Sequence, residues 1–224
     1  MDDIALETQA SPAPEQDWAS AAEARLLDAA LPLAPRLNWS RALVSAAADA
    51  AGLSPGDAYL LAPKGPRDLA ALFSRRHDAA ALQALAGIDP STLKIRERIA
   101  RAVTARIEAA AADEAAVRRS AAFLALPQNL PLAMSLLWES ADGLWRSAGD
   151  TATDENHYSK RVILSAILVT TLAVRFTGGA EAAKAHLDRR IGEVMAFEKW
   201  KAKQPSPAGL LREIAGALGK LRYG

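Results

Sequence analysis

Chemistry in a protein needs side chains that can attack, carry a proton or hold a metal, and this chain offers few. Cysteine is absent, and there are three histidines, His77, His157 and His186. Thiolate zinc sites, iron–sulfur clusters, disulfides and thiol nucleophiles are therefore excluded. Asp154-x-x-His157 would put a carboxylate and an imidazole on one helical face, as some metal sites do, but no second such pair exists. A helix start with its acids at the positive end of the dipole explains that pair better. No nucleophile stands with a base, and no glycine loop is built to cradle phosphate. The residues lead to no catalytic group, no metal and no cofactor. Arg75-Arg76-His77 reads as a solvated helix face.

The elements that would position any site are helical. Of 224 residues, 52 are Ala and 30 are Leu, and only 5% are aromatic. Strong helix formers dominate, and strand formers are scarce. An all-α fold follows. Net charge is +1, but residues 1–24 carry six acids and no base, whereas residues 161–224 carry eleven bases against five acids. The acidic start lacks both the arginines of a transit peptide and the apolar core of a secretory signal. Ser120–Trp138 is broken by two prolines, and Val162–Val174 is too short to cross a bilayer of about 30 Å.

Residues 1–20 have no apolar period and read as a disordered tail. Helices follow from Glu23. Ser40 is placed to cap a helix containing Leu43, Val44 and Ala47, which Gly52 ends. Ser54 and Pro55 open a short one, and Arg67–Leu85 makes the next. Asp89-Pro90 opens the second half, where Ile95, Ile99, Val103 and Ile107 form a stripe. Asp113–Leu126 and Pro131–Ala148 come next, then a helix capped by Thr153 that runs to Gly178-Gly179, then Ala180–Lys203 with Ala183, Leu187, Ile191 and Val194 inward. After Pro205-Ser206-Pro207, a last helix puts Leu210, Leu211, Ile214, Leu218 and Leu221 on one face, with Arg212, Lys220 and Arg222 off it. That pattern suits an anionic membrane surface.

Ala50-Ala51-Gly52-Leu53-Ser54 has helix-turn-helix spacing, and the opening helices resemble the N-terminal domain of TetR-type repressors. A ligand-responsive repressor is thus the alternative reading. The chemistry of DNA contact is missing, however: Ser54–Leu61 has no base and one acid, Asp57. No nucleic-acid partner is expected.

The most individual runs are Leu126-Pro127-Gln128-Asn129-Leu130-Pro131 and Gly149-Asp150-x-x-Thr153-Asp154-x-Asn156-x-Tyr158-x-x-Arg161. On these, the chain resembles the lipid-binding accessory proteins of ubiquinone biosynthesis, the ninth of the coenzyme Q biosynthesis families, over about residues 23–200. That resemblance implies a TetR-like fold without DNA binding and an isoprenoid lipid or quinone precursor in an apolar cavity. It also implies a membrane-binding C-terminal helix and a partner, the demethoxyubiquinone hydroxylase. Four segments are expected: the tail 1–20, a helix-turn-helix-like domain 21–85, a lipid-binding domain 86–203, and a linker with amphipathic helix 204–224. Lipid contact is expected at Phe123, Leu124, Leu137, Trp138, Ile163, Ile167 and Leu168. The partner surface falls on Leu144, Trp145, Asp154, His157, Tyr158 and Arg161. Glu155 and His157 depart from the family's usual aromatics. A homodimer, paired through Asp154–Phe176 and Ala180–Lys203, and a cytoplasmic location peripheral to a bacterial inner membrane complete the expectation.

Overall fold

The structure, a computed structural model, describes residues 15–150 and 155–203. Among them every regular element is helical, so the all-α expectation holds. The order is α1 (Glu15–Ala30), α2 (Ala34–Leu37), α3 (Arg41–Ala50), α4 (Pro55–Leu61), α5 (Pro66–Leu85), a 3-10 turn at Pro90–Thr92, α6 (Ile95–Ala112), α7 (Glu114–Leu124), a 3-10 turn at Pro127–Asn129, α8 (Leu130–Ser147) and α9 (Glu155–Lys203).

The described residues up to Leu168 form one compact unit. The boundary expected at residue 85 is not there. Helix α5 packs most extensively on α6 and then on α8, both assigned by the sequence to the other domain. The polar side chains explain why. Asp78 on α5 accepts from Arg106 Nε on α6 and from Ser140 Oγ on α8, the latter at 2.7 Å. Arg106 also reaches Ser74. Three helices are thus pinned at one carboxylate.

The N-terminal helices pack as their sequence periods require. Leu26 and Leu27 on α1 and Leu43 and Val44 on α3 are buried. Ser40 caps α3 by accepting from the Leu43 N–H at 3.2 Å. Gly52 ends α3 at φ 66, a conformation that costs glycine little. Ser54 then forms a reciprocal capping box with Asp57. Two expectations are corrected. Helix α1 is described from Glu15, within the segment expected to be disordered. Asp89-Pro90 opens only a 3-10 turn, because Asp89 spends its side chain on Ser91 and Leu93 turns extended (φ −116, ψ 150) before α6 starts. Ile95 is exposed as a result, while Ile99, Val103 and Ile107 are buried.

The second unit runs from Val169 and is described to residue 203. Helix α9 breaks at Gly179 (φ 81, ψ −175). Beyond it the chain doubles back: His186 Nε2 lies 3.1 Å from Thr170 Oγ1. Those residues would be about 24 Å apart on one straight helix. A Cβ on Gly178 would come 2.8 Å from the Ala182 Cβ, so a residue without one is required there. Ala183, Leu187 and Ile191 are buried, as their spacing indicates, and Val194 is half-buried. By length and composition, His157–Phe197 holds a window apolar enough to cross a membrane, although the helix is broken at Gly179; α7 and the segment Pro127–Ser147 pass the same test only together, bent by 96°. The expected helix over Leu210, Leu211, Ile214, Leu218 and Leu221 lies outside the described residues.

His77 is the buried histidine of the first unit. Its ring packs 4.4 Å from Phe73, which in turn lies 5.2 Å from Trp39. Nε2 sits 3.1 Å from Asp113. The solvated face expected around Arg75-Arg76-His77 therefore excludes His77. Burial pulls its pKa below the ordinary 6.5 against the opposing pull of Asp113. The unfolded chain thus binds the proton more readily, and stability is complete above pH 6.5 and falls below it. We expect the wild-type denaturation midpoint to drop between pH 6.5 and 5, and His77→Phe to flatten that limb; an unchanged pH profile in the variant would refute the assignment.

Candidate functional site

The two motifs singled out in the sequence build the ends of α8. Leu126–Pro131 makes the turn between α7 and α8. Asn129 is buried and donates from Nδ2 to the Phe123 carbonyl at 2.9 Å, closing one of the open carbonyls at the end of α7. The prolines at 127 and 131 fall in the first turns of their elements, where no amide is needed.

At the other end, Gly149 (φ 87) lets the chain leave α8: its N–H donates to the Arg146 carbonyl at 2.9 Å and that of Asp150 to the Trp145 carbonyl at 3.0 Å. Arg98 of α6 covers the same helix end, donating to the Ala148 carbonyl at 3.1 Å. Asp150 is then aimed inward. Its side chain is 6% exposed and pairs with Arg161 at 2.6 Å and Lys160 at 2.6 Å. Arg161, 1% exposed, also pairs with Asp142 of α8 at 3.0 Å. The guanidinium fork spans two carboxylates and adds a bond to the His157 carbonyl. Burial alone would push Asp150 up; the bonds from Lys160 and Arg161 prevail and hold it below the usual carboxylate range.

The predicted partner surface divides around this pair. Leu144 and Arg161 are interior residues, each 1% exposed, so they support the surface and do not form it. Trp145 is half-buried, its Nε1 donating to the Lys160 carbonyl at 3.0 Å and its ring lying 5.3 Å below Lys160 Nζ. His157 and Tyr158 stand together, ring centroids 5.2 Å apart, and both lie near Trp138, at 6.1 and 5.9 Å. Tyr158 is 64% exposed. The imidazole thus joins an aromatic group. Asp154 lies outside the described residues, and with it the Asp154–His157 pairing.

Of the predicted lipid contacts, Ile167 and Leu168 are buried, and Phe123, Leu124, Leu137, Trp138 and Ile163 are half-buried. Ser165 ties α9 to α8 by bonding to the Leu137 carbonyl at 3.3 Å. Beside these residues Leu130, Met134 and Val162 are exposed, though none is among the expected lipid contacts. Their i, i+4 spacing from Leu126 and Tyr158 was the available signal. The two hollows described lie elsewhere, one of about 390 Å³ at α3 and α4 and one of about 20 Å³ at the α5–α6 corner.

Together these features define an all-α protein whose α8 and the start of α9 are locked by a buried arginine and carry an exposed apolar surface. The COQ9 family model matches residues 130–198, from the start of α8 through most of α9. The chain is 28% identical to the rat (Rattus norvegicus) ubiquinone biosynthesis protein COQ9, mitochondrial, over 93% of this chain and 70% of that protein. The human (Homo sapiens) protein of that name is 27% identical over 93% and 69%, and the Drosophila melanogaster one 27% over 70% and 49%. The family resemblance read from the two motifs is thereby borne out. The expected location, peripheral to a bacterial inner membrane, is corrected: these relatives are named as mitochondrial proteins.

Removing the guanidinium should expose the logic of the lock. Arg161→Met leaves the inward Asp150 to Lys160 alone and Asp142 to Arg146 alone, and a loss of about 3 kcal/mol in unfolding free energy is expected by urea titration. A loss below about 1 kcal/mol would show that the pair is not structural. Because Asp150 is held low, its contribution is complete above its ordinary pKa of 3.8 and lost below it. Asp150→Asn should therefore cost stability at pH 7 and progressively less as the pH falls below 3.8.

Proposed function

We propose that this protein acts in ubiquinone biosynthesis as a lipid-binding accessory protein. It binds an isoprenoid quinone precursor and presents it to the demethoxyubiquinone hydroxylase at a membrane surface. The observation that carries this reading is the similarity to COQ9 proteins along 93% of the chain. The apolar surface of α8 and α9 supports it. Leu137, Trp138 and Ile163 are half-buried beside exposed Met134 and Val162, an arrangement suited to a long apolar tail. Each methylene moved out of water onto such a surface contributes about 0.8 kcal/mol, so several isoprene units offset a substantial extraction cost. Tyr158, on the rim of the aromatic group, suits a protein partner, since exposed aromatics often anchor interfaces. The TetR-like arrangement, the pairing of two copies and the membrane contact through residues 208–223 belong to the same proposal.

Native mass spectrometry and organic extraction of the purified full chain test the lipid step. An isoprenoid or phospholipid should be recovered, with reduced occupancy in Trp138→Ala at an unchanged melting temperature. Recovery of empty protein would count against the reading. Tyr158→Ala should weaken capture of the hydroxylase by about tenfold or more without changing lipid content.

A further inference from the structure

Nothing in the COQ9-like reading uses the hollow of about 390 Å³ between α3, α4 and the turn into α5. Its floor is apolar: Val44, Ala48, Leu53 and Ala58 are buried beneath it. One end is cationic. Arg41 opens α3, and its Cγ lies 3.9 Å from where a Cβ on Gly65 would stand, so Arg41 and Lys64 flank the same end. Neither makes an ion pair with another described residue. Asp49 lies eight residues along α3, about 12 Å away by helical rise, and gives the other end the opposite sign. Tyr59, 68% exposed, stands on the rim.

These features select a ligand chemistry. The volume falls within the range of about 300–1,000 Å³ used by small ligands. An apolar floor with one cationic end takes an amphiphile whose head is an anion. Only two cations are present, and the Asp68 carboxylate is already bonded to the Lys64 N–H at 2.6 Å. A monoanion therefore matches better than a dianion. DNA does not fit: α4 carries no base, and Asp57 is held in the capping box.

We propose that this hollow binds a small amphipathic carboxylate, with its apolar body over Val44, Ala48, Leu53 and Ala58 and its head between Arg41 and Lys64. The site is separate from the surface on α8 and α9.

Decanoate is the probe, titrated into the full chain by calorimetry and followed by melting temperature, with decanol and decyl phosphate for comparison. Decanoate should bind saturably and raise the melting temperature. The double variant Arg41→Gln/Lys64→Gln should lose about tenfold or more in affinity, and Ala48→Phe, which fills the floor, should abolish binding. Both should keep the wild-type circular dichroism; if Ala48→Phe does not fold, the double variant alone decides. Decanol binding as well as decanoate, undiminished binding in the folded double variant, or tighter binding of decyl phosphate would each overturn the proposal. So would loss of decanoate binding in Trp138→Ala, which would move the ligand to α8 and α9 and leave this hollow empty.

Discussion

Among the described residues, Arg161 carries the greatest electrostatic demand. A guanidinium that is 1% exposed has lost nearly all its hydration, and it is tolerable only because Asp150 and Asp142 accept from it on two sides. Everything about the junction between α8 and α9 answers to that demand. Asp150 must point inward directly after the helix ends, which requires the left-handed turn at Gly149. Asp142 must face α9, which fixes the rotation of α8 about its axis. Lys160 then balances the second charge of the cluster while its stem covers Trp145. A buried pair of this kind contributes little net stability compared with an apolar isostere. What it supplies is a penalty for any other register, which ties Gly149, Asp150 and Arg161 to one another.

A second polar knot works in the same way on α5. Asp78 joins α6 and α8 through Arg106 and Ser140. Helix α5 thus serves the N-terminal helices through Leu69 and Phe73 and the later ones through its polar face. That double duty is why the sequence suggested two domains where the structure has one compact unit through α8. A Pro-Gly-rich turn and a change in composition mark a boundary only when the helix between them belongs to one side.

Element by element, the sequence was readable where local chemistry decides. Ser40, Ser54 and Gly52 act on neighbours three or four residues away, and each sits where its type indicates. Asp89 misled for the same local reason: it caps a turn that does not propagate. The partner surface was less readable, because a charged residue in a distinctive motif looks exposed. Only the phase of α9 shows otherwise. Arg161, Leu164 and Leu168 share one helical face, and the leucines mark it as the buried one. The hollow at α3 and α4 was not readable at all. Its two cations are 23 positions apart and meet only through tertiary packing.

The buried ion pair also governs the apolar surface. Tyr158 and Val162 are four residues apart, and Val162 directly follows Arg161. Once Arg161, Leu164 and Leu168 are fixed inward, helical geometry puts residues 158 and 162 on the flank away from the leucines, about 60° and 100° round the axis from Arg161. Their exposure, 64% and 60%, is therefore a consequence of the buried ion pair. An apolar pair on a free helix could roll inward to escape water. Here it cannot, because rolling would drag Arg161 from its two carboxylates, at a cost of several kcal/mol against the roughly 1.5–3 kcal/mol gained by burying each apolar side chain. The charged residues thus hold the apolar ones exposed, which is the condition a surface for lipid or partner must meet.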